Sequence, residues 1–452
     1  MEKWLQEWLR NSEKYGMQPV FDMLYADSRN GSNFYHLYDK IVDPGNILLA
    51  RDTLCTLGSI ADIDDDSVVP SVHVVLADYK PVAGDLDILI QQCFLQVLEP
   101  IMEAKFYRHS YGYRPCRNES HALARVNSLI NRGKMYYCVD ADLEQALCNM
   151  DFGHLSRQLW SFGIRDRRVL AIIRKMVGQG SSGFDSFGRL AGFFINVCLD
   201  CLDHWVEMQW ELFPVGINIH VFHNTTGKRS GLKSGYIVRY GSRFVILCRS
   251  YGDAVRFGHA VENYLRGHMG LDVDGFPVLN LKRKGLGFLG FDIKAIRKES
   301  AKNGWVVRTK MTAGSKVQAS MELKCLLKDI QHHGADPRRA LAYNAAVGRI
   351  KAYYQYATDV YCDLDRIGMS VVTVMKNRLK DRGKWSTCGE QPAWYRKRNP
   401  GIRLSTRVMA VGGIPLDIIN GVKHKSPMNF QQDMTPYTKV GCAKILGKHR
   451  KK

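Results

Sequence analysis

The chain has 452 residues and a formal net charge of +20, from 64 Lys and Arg against 44 Asp and Glu. With 45% hydrophobic and 24% charged residues it can bury an ordinary core, which excludes a disordered tail protein and a small disulfide scaffold. No apolar run approaches the roughly 20 residues that cross a bilayer. The opening MEKWLQEWLRNSEKYG has acidic residues and no signal-peptide apolar stretch. A soluble, non-secreted protein of two or three domains with no membrane partner is expected.

The +20 points to an acidic partner, most simply nucleic acid. Its distribution is uneven. Residues 1–100 carry −9, residues 371–452 carry +14, and the span between them carries +15. Of the twelve cysteines, Cys93, Cys138 and Cys248 sit in apolar runs. Cys198 and Cys201 form a CxxC inside the helical-looking INVCLDCLDHWVEMQW. No second pair completes a zinc site, so core thiols in a reducing compartment are expected.

In chain order, the first forty residues show helical spacing at Trp4, Leu5, Trp8 and Leu9, then at Phe21 and Leu24. An acidic turn, ADIDDDS (61–67), precedes VVPSVHVVLADYKP, which reads as a strand with a turn. Residues 88–106 read as a helix, 108–120 as a basic loop, and HALARVNSLINRG as another helix. MYYCVDADL (135–143) reads as a buried strand. A helical and loop region runs through GQGSSGFDSFG to a helix over 190–210. SGYIVRYGSRFVILCRS (234–250) is the clearest hairpin, turning at Tyr240-Gly241-Ser242-Arg243. AVRFGHAVENYLRGHMG is a helix ending at Gly, and VLNLKRKGLGFLGFDIKAIR and NGWVVRTKM are strands. Residues 316–331 and 337–380 are helical, and the chain from about 381 is basic and irregular. The pattern is α+β with a helical, basic C-terminal extension.

The blocks HSYGYRPCRNESHAL, YYCVDADLEQAL, AGFFINVCLDCLD, VRYGSRFVILCRS, GFLGFDI and GRIKAYYQYA, in this order, resemble the reverse transcriptase/maturase proteins encoded by group II introns. NFYHLYDKIVDPGNILLARDTL and QVLEPIMEAKFYRHSYGYRP are similar to segments of bacterial members. The resemblance covers roughly residues 20–380. It implies a right-hand polymerase-like fold, with N-terminal helices and fingers over 1–107 and a reverse-transcriptase-like fingers/palm over 108–310. A helical thumb (the maturase X region) over 311–382 and a basic nucleic-acid-binding tail over 383–452 would follow. The implied location is a bacterial cytoplasm, with an organelle as the alternative.

Nucleotidyl transfer of this kind uses two metal ions roughly 3.5–4 Å apart, and Mg²⁺ demands hard oxygen ligands. The family supplies one strand Asp and an adjacent Asp pair read as Tyr-Ala-Asp-Asp at a hairpin. Here the strand Asp is Asp142, but the hairpin reads Tyr240-Gly241-Ser242-Arg243. The aromatic residue under the incoming sugar becomes Leu147. The Gln-Gly segment becomes Ser186, Phe187 and Gly188, and the fingers Arg becomes Lys80. With two of three metal-binding carboxylates missing, no catalytic residue and no protein-bound metal or cofactor are expected. Asp140 shares the strand face of Asp142. Without metal, Arg243 either pairs with Asp142 or points outward while Asp142 stays solvated.

Other residues retain an RNA-binding character. Arg108, Tyr111, Arg114 and Arg117 combine guanidinium groups with aromatics in the basic loop. A surface turn with Tyr111 and Tyr113 packed on the palm is the alternative. Arg338, Arg339, Arg349, Lys351, Lys376, Arg378, Lys380 and Arg382 form a candidate stripe over the thumb. Lys384, Arg396, Lys397 and Arg398 continue it beside Trp385, Trp394 and Tyr395. Tyr353 and Tyr356, three apart, are expected to face the core, with stacking on RNA bases as the alternative. The resemblance thus implies a catalytically inactive maturase that stabilises a structured RNA, a group II intron, with Mg²⁺ serving the RNA. An active polymerase with an atypical metal site and a repurposed nucleic-acid-binding scaffold are the competing readings. DNA and a separate active reverse transcriptase remain open as further partners.

Overall fold

The computed structural model describes residues 3–60, 65–80, 84–148, 152–177, 189–211 and 232–447. Outside these lie residues 81–83 of the fingers segment, Ser186, Phe187 and Gly188, and the last five residues. The chain divides into two compact units. The first comprises residues 1–126, 137–278 and 429–452; the second comprises 127–136 and 279–428.

The elements are α1 (Lys3–Lys14), α2 (Gln18–Arg29), α3 (Leu37–Ile41), α4 (Pro44–Thr56), α5 (Asp65–Ala77), α6 (Asp85–Glu103), α7 (Glu119–Asn131), β1 (Tyr137–Asp142), α8 (Glu144–Cys148), α9 (Phe152–Ser161), α10 (Arg167–Val177) and α11 (Arg189–Trp210). There follow β2 (Gly235–Tyr240), β3 (Arg243–Cys248), α12 (Tyr251–Met269), β4 (Val278–Asn280), β5 (Leu286–Phe288), β6 (Phe291–Arg297), β7 (Trp305–Met311), α13 (Ala313–His333), α14 (Pro337–Tyr354) and α15 (Val360–Arg378). The chain ends with β8 (Gly383–Thr387), α16 (Ala393–Arg398), β9 (Arg407–Val411), β10 (Ile414–Pro415) and α17 (Lys439–Ile445). Several boundaries follow from local chemistry. Asp43 and Pro44 start α4, where the Asp43 side chain accepts the Gly45 N–H. Ser250 caps α12, and Gly270, at φ +65°, ends it.

The first unit packs helices around a small antiparallel sheet of order β2-β3-β1-β4. The residues of β3 from Phe244 to Cys248 are all fully buried. Phe244, Ile246 and Cys248, on one face of the strand, join Val139, Phe193, Phe194 and Phe257 in one core. The second unit contains the antiparallel sheet β5-β6-β7, the helices α13, α14 and α15, and a sheet of order β10-β9-β8. There α13 packs against both α14 and α15, with Leu323, Leu327, Val347, Leu364 and Val371 buried. The architecture is mixed α+β, as expected.

Two expectations are corrected. VVPSVHVVLADYKP is no strand: residues 65–77 form α5, with Pro70 inside it. Val68, Val72 and Leu76 are buried at four-residue spacing, and this helical burial overrides the β-preference of valine. The region after 381 is also not simply irregular. Two sheet edges, β8 and β10, flank β9, and Val408 of β9 packs with the buried Tyr395 and Cys388. Among the described residues no helix is long and apolar enough to cross a membrane.

Candidate functional site

The hairpin forms as the alternation predicts. In β2–β3 Tyr240 pairs with Arg243, and in β1–β3 Asp142 pairs with Arg243. Gly241 supplies the positive φ, +61°, at the turn. The register places Arg243 directly beside the strand carboxylates. Its Nη2 donates to Asp140 Oδ1 at 3.0 Å, and its Nε lies 3.6 Å from Asp142 Oδ2. Asp142 also accepts the Glu144 N–H at 3.1 Å, which starts α8. The two alternatives for Asp142 and Arg243 resolve toward pairing, although the direct hydrogen bond goes to Asp140. The arrangement presents two carboxylates bridged by a guanidinium, not three carboxylates around a cation gap. Among the described residues no group of three His, Cys, Asp or Glu could hold a metal ion. Leu147 is buried in the core and Tyr240 donates its hydroxyl to Glu119 at 2.6 Å.

Behind the hairpin lies a buried polar network that sequence reasoning missed. Along α11 and just past its end, Asn196, Asp200, Asp203, Glu207 and Glu211 repeat at intervals of four, three, four and four residues. That spacing puts them on one helical face, and it was legible in the sequence. Asp203 and Arg239 are both fully buried, joined by contacts of 2.6–2.9 Å. Arg239 Nη1 also donates to Asn196 Oδ1 at 2.8 Å and to the Gly241 carbonyl at 2.9 Å. Asn196 donates in turn to the Gly112 carbonyl at 2.7 Å. One buried cluster thus ties the hairpin tip to the basic loop.

The loop itself is turned inward. Ser110 bridges to Arg239 in parallel, with the Tyr111 N–H donating to the Arg239 carbonyl at 2.9 Å. The expectation that Arg114 and Arg117 face nucleic acid is corrected. Arg114 is 1% exposed and bidentate to Glu103 at 2.7 and 2.8 Å. Arg117 stacks over Phe430 and donates to the Arg108 carbonyl. Burial, then repulsion from Arg114, pulls Arg117 down to about 10. Tyr111 is buried and hydrogen-bonded to His109, so it has no free face for a base. The physical reason is Glu103, buried at the end of α6: a buried carboxylate must be paired, and these two loop cations supply the partners. Arg108 is half-exposed, 3.6 Å from Glu207, and Arg125 reaches Glu211 at 2.6 Å. The hydrogen bond to Glu207 raises His204 to about 9, and burial raises Asp200 to about 6.

Tyr113 is the exception, 59% exposed at φ +53°. Its ring covers the hairpin tip. A Cβ at Gly192 would meet the Tyr113 Cγ at 2.2 Å, and one at Gly241 would meet its Cε2 at 2.8 Å. Glycine is required at both positions by this close approach.

In the second unit the predicted cations divide into two groups. Arg339 pairs with Asp329, Arg349 with Glu322 and Arg398 with Asp417. Lys351 is partly buried, which lowers its pKa. Arg378 donates to Gln331 at 2.8 Å. Arg338, Lys376, Lys380, Arg382, Lys384, Arg396 and Lys397 are exposed. None of these seven has a carboxylate within ion-pair distance among the described residues. Lys376 to Lys384 alternate with other residues as the chain leaves α15 for β8. Trp394 is exposed beside them in sequence, but Tyr395 is buried. Tyr353 stacks on Phe291 with ring centroids 5.6 Å apart, and its hydroxyl donates to the Leu289 carbonyl.

No family model matches the chain. Two curated proteins are similar to parts of it. "Nuclear intron maturase 2, mitochondrial" of Arabidopsis thaliana is 33% identical over 177 aligned residues, covering 28% of this chain and 24% of that protein. "Putative COX1/OXI3 intron 2 protein" of Saccharomyces cerevisiae is 20% identical over 256 aligned residues, covering 46% of this chain and 29% of that protein. The matched part therefore spans about a quarter of the length of each relative, and both carry names tied to introns.

Proposed function

We propose that this chain is a maturase-like protein of right-hand polymerase descent that binds structured intron RNA and assists its splicing without polymerase chemistry of its own. The observation that carries the reading is Arg243, hydrogen-bonded to Asp140 and 3.6 Å from Asp142. A guanidinium there already neutralises the carboxylates that a metal pair would need, and Ser242 is a poor Mg²⁺ ligand by itself. The residues present do not fit a two-metal set, so the protein acts through binding alone. A protein that prefers the folded RNA shifts its folding equilibrium by the difference in affinity for the two states. The seven uncommitted cations of the second unit would neutralise phosphates and release counterions. The intron-related names of both relatives support RNA as the partner.

The test is a self-splicing assay on intron RNA encoded beside or around the gene, with and without the full chain, run alongside primer extension. Faster splicing at low Mg²⁺ with no primer extension is expected. Mg²⁺-dependent DNA synthesis abolished by Asp142→Ala would overturn the reading, as would purified protein that leaves the splicing rate unchanged.

A further inference from the structure

The first unit carries a basic surface that neither the hairpin nor the cations of the second unit account for. Residues 152–177, spanning α9, the turn after it and α10, hold six basic side chains and one acidic one. The acid, Asp166, is buried and spent on backbone: its carboxylate accepts the N–H groups of Tyr38, Arg168 and Val169 at 2.9–3.2 Å. Arg157, Arg167, Arg168 and Arg174 are exposed. Neither they nor Arg165 have a carboxylate within ion-pair distance among the described residues. Lys175 donates to the Tyr79 carbonyl and lies 3.7 Å from Asp78. By contrast, Arg51, Arg125, Arg239, Arg256 and Arg266 of the same unit hold carboxylates at 2.6–2.8 Å.

Aromatic rings are set among these cations. Phe34 bridges in parallel to Ile164: its N–H donates to the Gly163 carbonyl, and its carbonyl accepts the Arg165 N–H, both at 2.8 Å. The bridge brings the chain at Tyr35 next to the turn that carries Trp160 and Arg165. Tyr35 is 61% exposed and Trp160 49%. The Arg165 guanidinium lies 4.0 Å from the Trp160 ring centroid, and that of Arg168 lies 3.4 Å from the Tyr38 ring centroid. Arg165 donates to the Trp160 and Ile164 carbonyls through Nη1 alone. Lys105 donates to the Phe162 carbonyl of the same turn at 3.0 Å. Burial, then Arg165, lowers the Lys105 pKa, so like charges gather here without an acid to offset them.

Capping the end of α9 explains Arg165, but not four further unpaired arginines or two exposed rings. A lipid surface fits poorly, because the apolar residues of α10 (Val169, Ile172, Ile173 and Met176) are buried in the core and none is left to enter a bilayer. Guanidinium groups beside exposed rings are the combination that neutralises a nucleic-acid backbone and stacks its bases. Arg157 and Trp160 are three apart on α9, and Arg167 and Arg174 are seven apart on α10, so each pair shares a helical face. The α10 pair is separated by about 10 Å along the axis.

We propose that this face of the first unit is a second RNA-docking surface, taking an unpaired stretch of the strand. Arg157, Arg167 and Arg174 meet phosphates, and a base stacks on Trp160. The assignment rests on the RNA reading and adds to it where, and in what form, the strand is held.

The experiment titrates the full chain with a short unstructured RNA oligonucleotide and with an RNA duplex across a salt series. Arg157, Arg167 and Arg174 changed together to Gln should flatten the log–log salt slope for the single strand by about 2, at about 0.7 for each phosphate. Trp160→Ala should weaken single-strand binding about tenfold without changing that slope, and should leave duplex binding as it was. Ultraviolet crosslinking to a bromouridine-substituted strand should mark a peptide within residues 152–177. Circular dichroism melting checks folding; should Trp160→Ala melt early, the Gln variant, which alters only exposed side chains, and the crosslink carry the test. Either folded variant binding like the parent overturns the proposal. Retention on phosphatidylserine vesicles that the Gln variant loses, with RNA binding unchanged, assigns a lipid surface and overturns it too. In both cases RNA binding by the parent leaves the RNA reading standing, whereas a parent that retains no RNA overturns that reading as well.

Discussion

Asp203 and Arg239 offer the sharpest test of how the hairpin is held. Both side chains are 0% exposed, and their contacts run from 2.6 to 2.9 Å. Arg239→Met leaves the Asp203 carboxylate buried without its cation; Asp203→Leu leaves the guanidinium with only Asn196 and the Gly241 carbonyl. Removing one partner of a buried pair costs about 3–5 kcal/mol, so each single variant should lose that much. The double variant removes both charges. It still strands Asn196 Oδ1 and the Gly241 carbonyl, at about 1–3 kcal/mol each. It should therefore lose about 2–6 kcal/mol, short of the roughly 6–10 kcal/mol sum of the singles, with a coupling of about 4 kcal/mol at the midpoints. Urea unfolding, followed by tryptophan fluorescence and by far-UV circular dichroism, measures this. Both probes are needed because a chain of two units need not unfold in one step. Additive losses, or single variants losing under about 1 kcal/mol, would refute the buried pair as the anchor of the hairpin.

Other outcomes follow from the same geometry. Gly192→Ala would gain about 1 kcal/mol from helix propensity alone, but its Cβ would meet Tyr113 Cγ at 2.2 Å. It should instead destabilise, by about 1–3 kcal/mol. In a Tyr113→Ala background the sign should reverse, and an unchanged sign in thermal melts would show that the ring does not rest there. His204 is raised to about 9 by its hydrogen bond to Glu207. A raised histidine contributes fully below its unfolded value near 6.5 and loses that contribution as pH rises through about 9. The urea midpoint should fall between pH 7.5 and 9.5, and less so in His204→Gln. Half-buried His109 and His121, lowered by desolvation to about 2 and 4, titrate below that window; equal slopes in both proteins would dismiss the assignment. Lys376, Lys380 and Lys384 changed together to Gln should flatten the salt dependence of RNA affinity by about 2–3 units of log–log slope. The buried Arg114, by contrast, should act on stability. A triple variant with the parent's slope would place the RNA elsewhere. Arg243→Ala, with the Arg243 side chain 34% exposed, should cost under about 1 kcal/mol and should not create primer extension. Extension by that variant would show that only the guanidinium had silenced the site.

Much of the site was readable from residue order. The alternation of 234–250 placed the hairpin, and its turn residues lacked the carboxylate pair. Whether Arg243 pairs with Asp142 or points outward was left open by the residue order, and the β1–β3 register, which sets the two opposite each other, decided it. The helix over 190–210 was equally plain. Its polar stripe was present as text, but spacing alone does not say which side of a helix is covered. The valine-rich α5 was misread for a related reason: with apolar residues on several faces, periods of two and nearly four both fit, and only neighbouring helices choose between them.

The fate of each cation was decided in three dimensions. Composition established an excess of positive charge and its concentration beyond residue 100. Whether a given guanidinium meets phosphate or a buried carboxylate depends on what packs behind it. Arg114 and Arg117 read as exposed nucleic-acid contacts, but Glu103, brought close by the turn after α6, takes them inside. Lys376 to Lys384 read no differently in sequence, yet no carboxylate in the described residues reaches Lys376, Lys380, Arg382 or Lys384. Charge is a property of the residue and so is fixed by the sequence. Availability depends on distance and desolvation, which long-range packing alone sets.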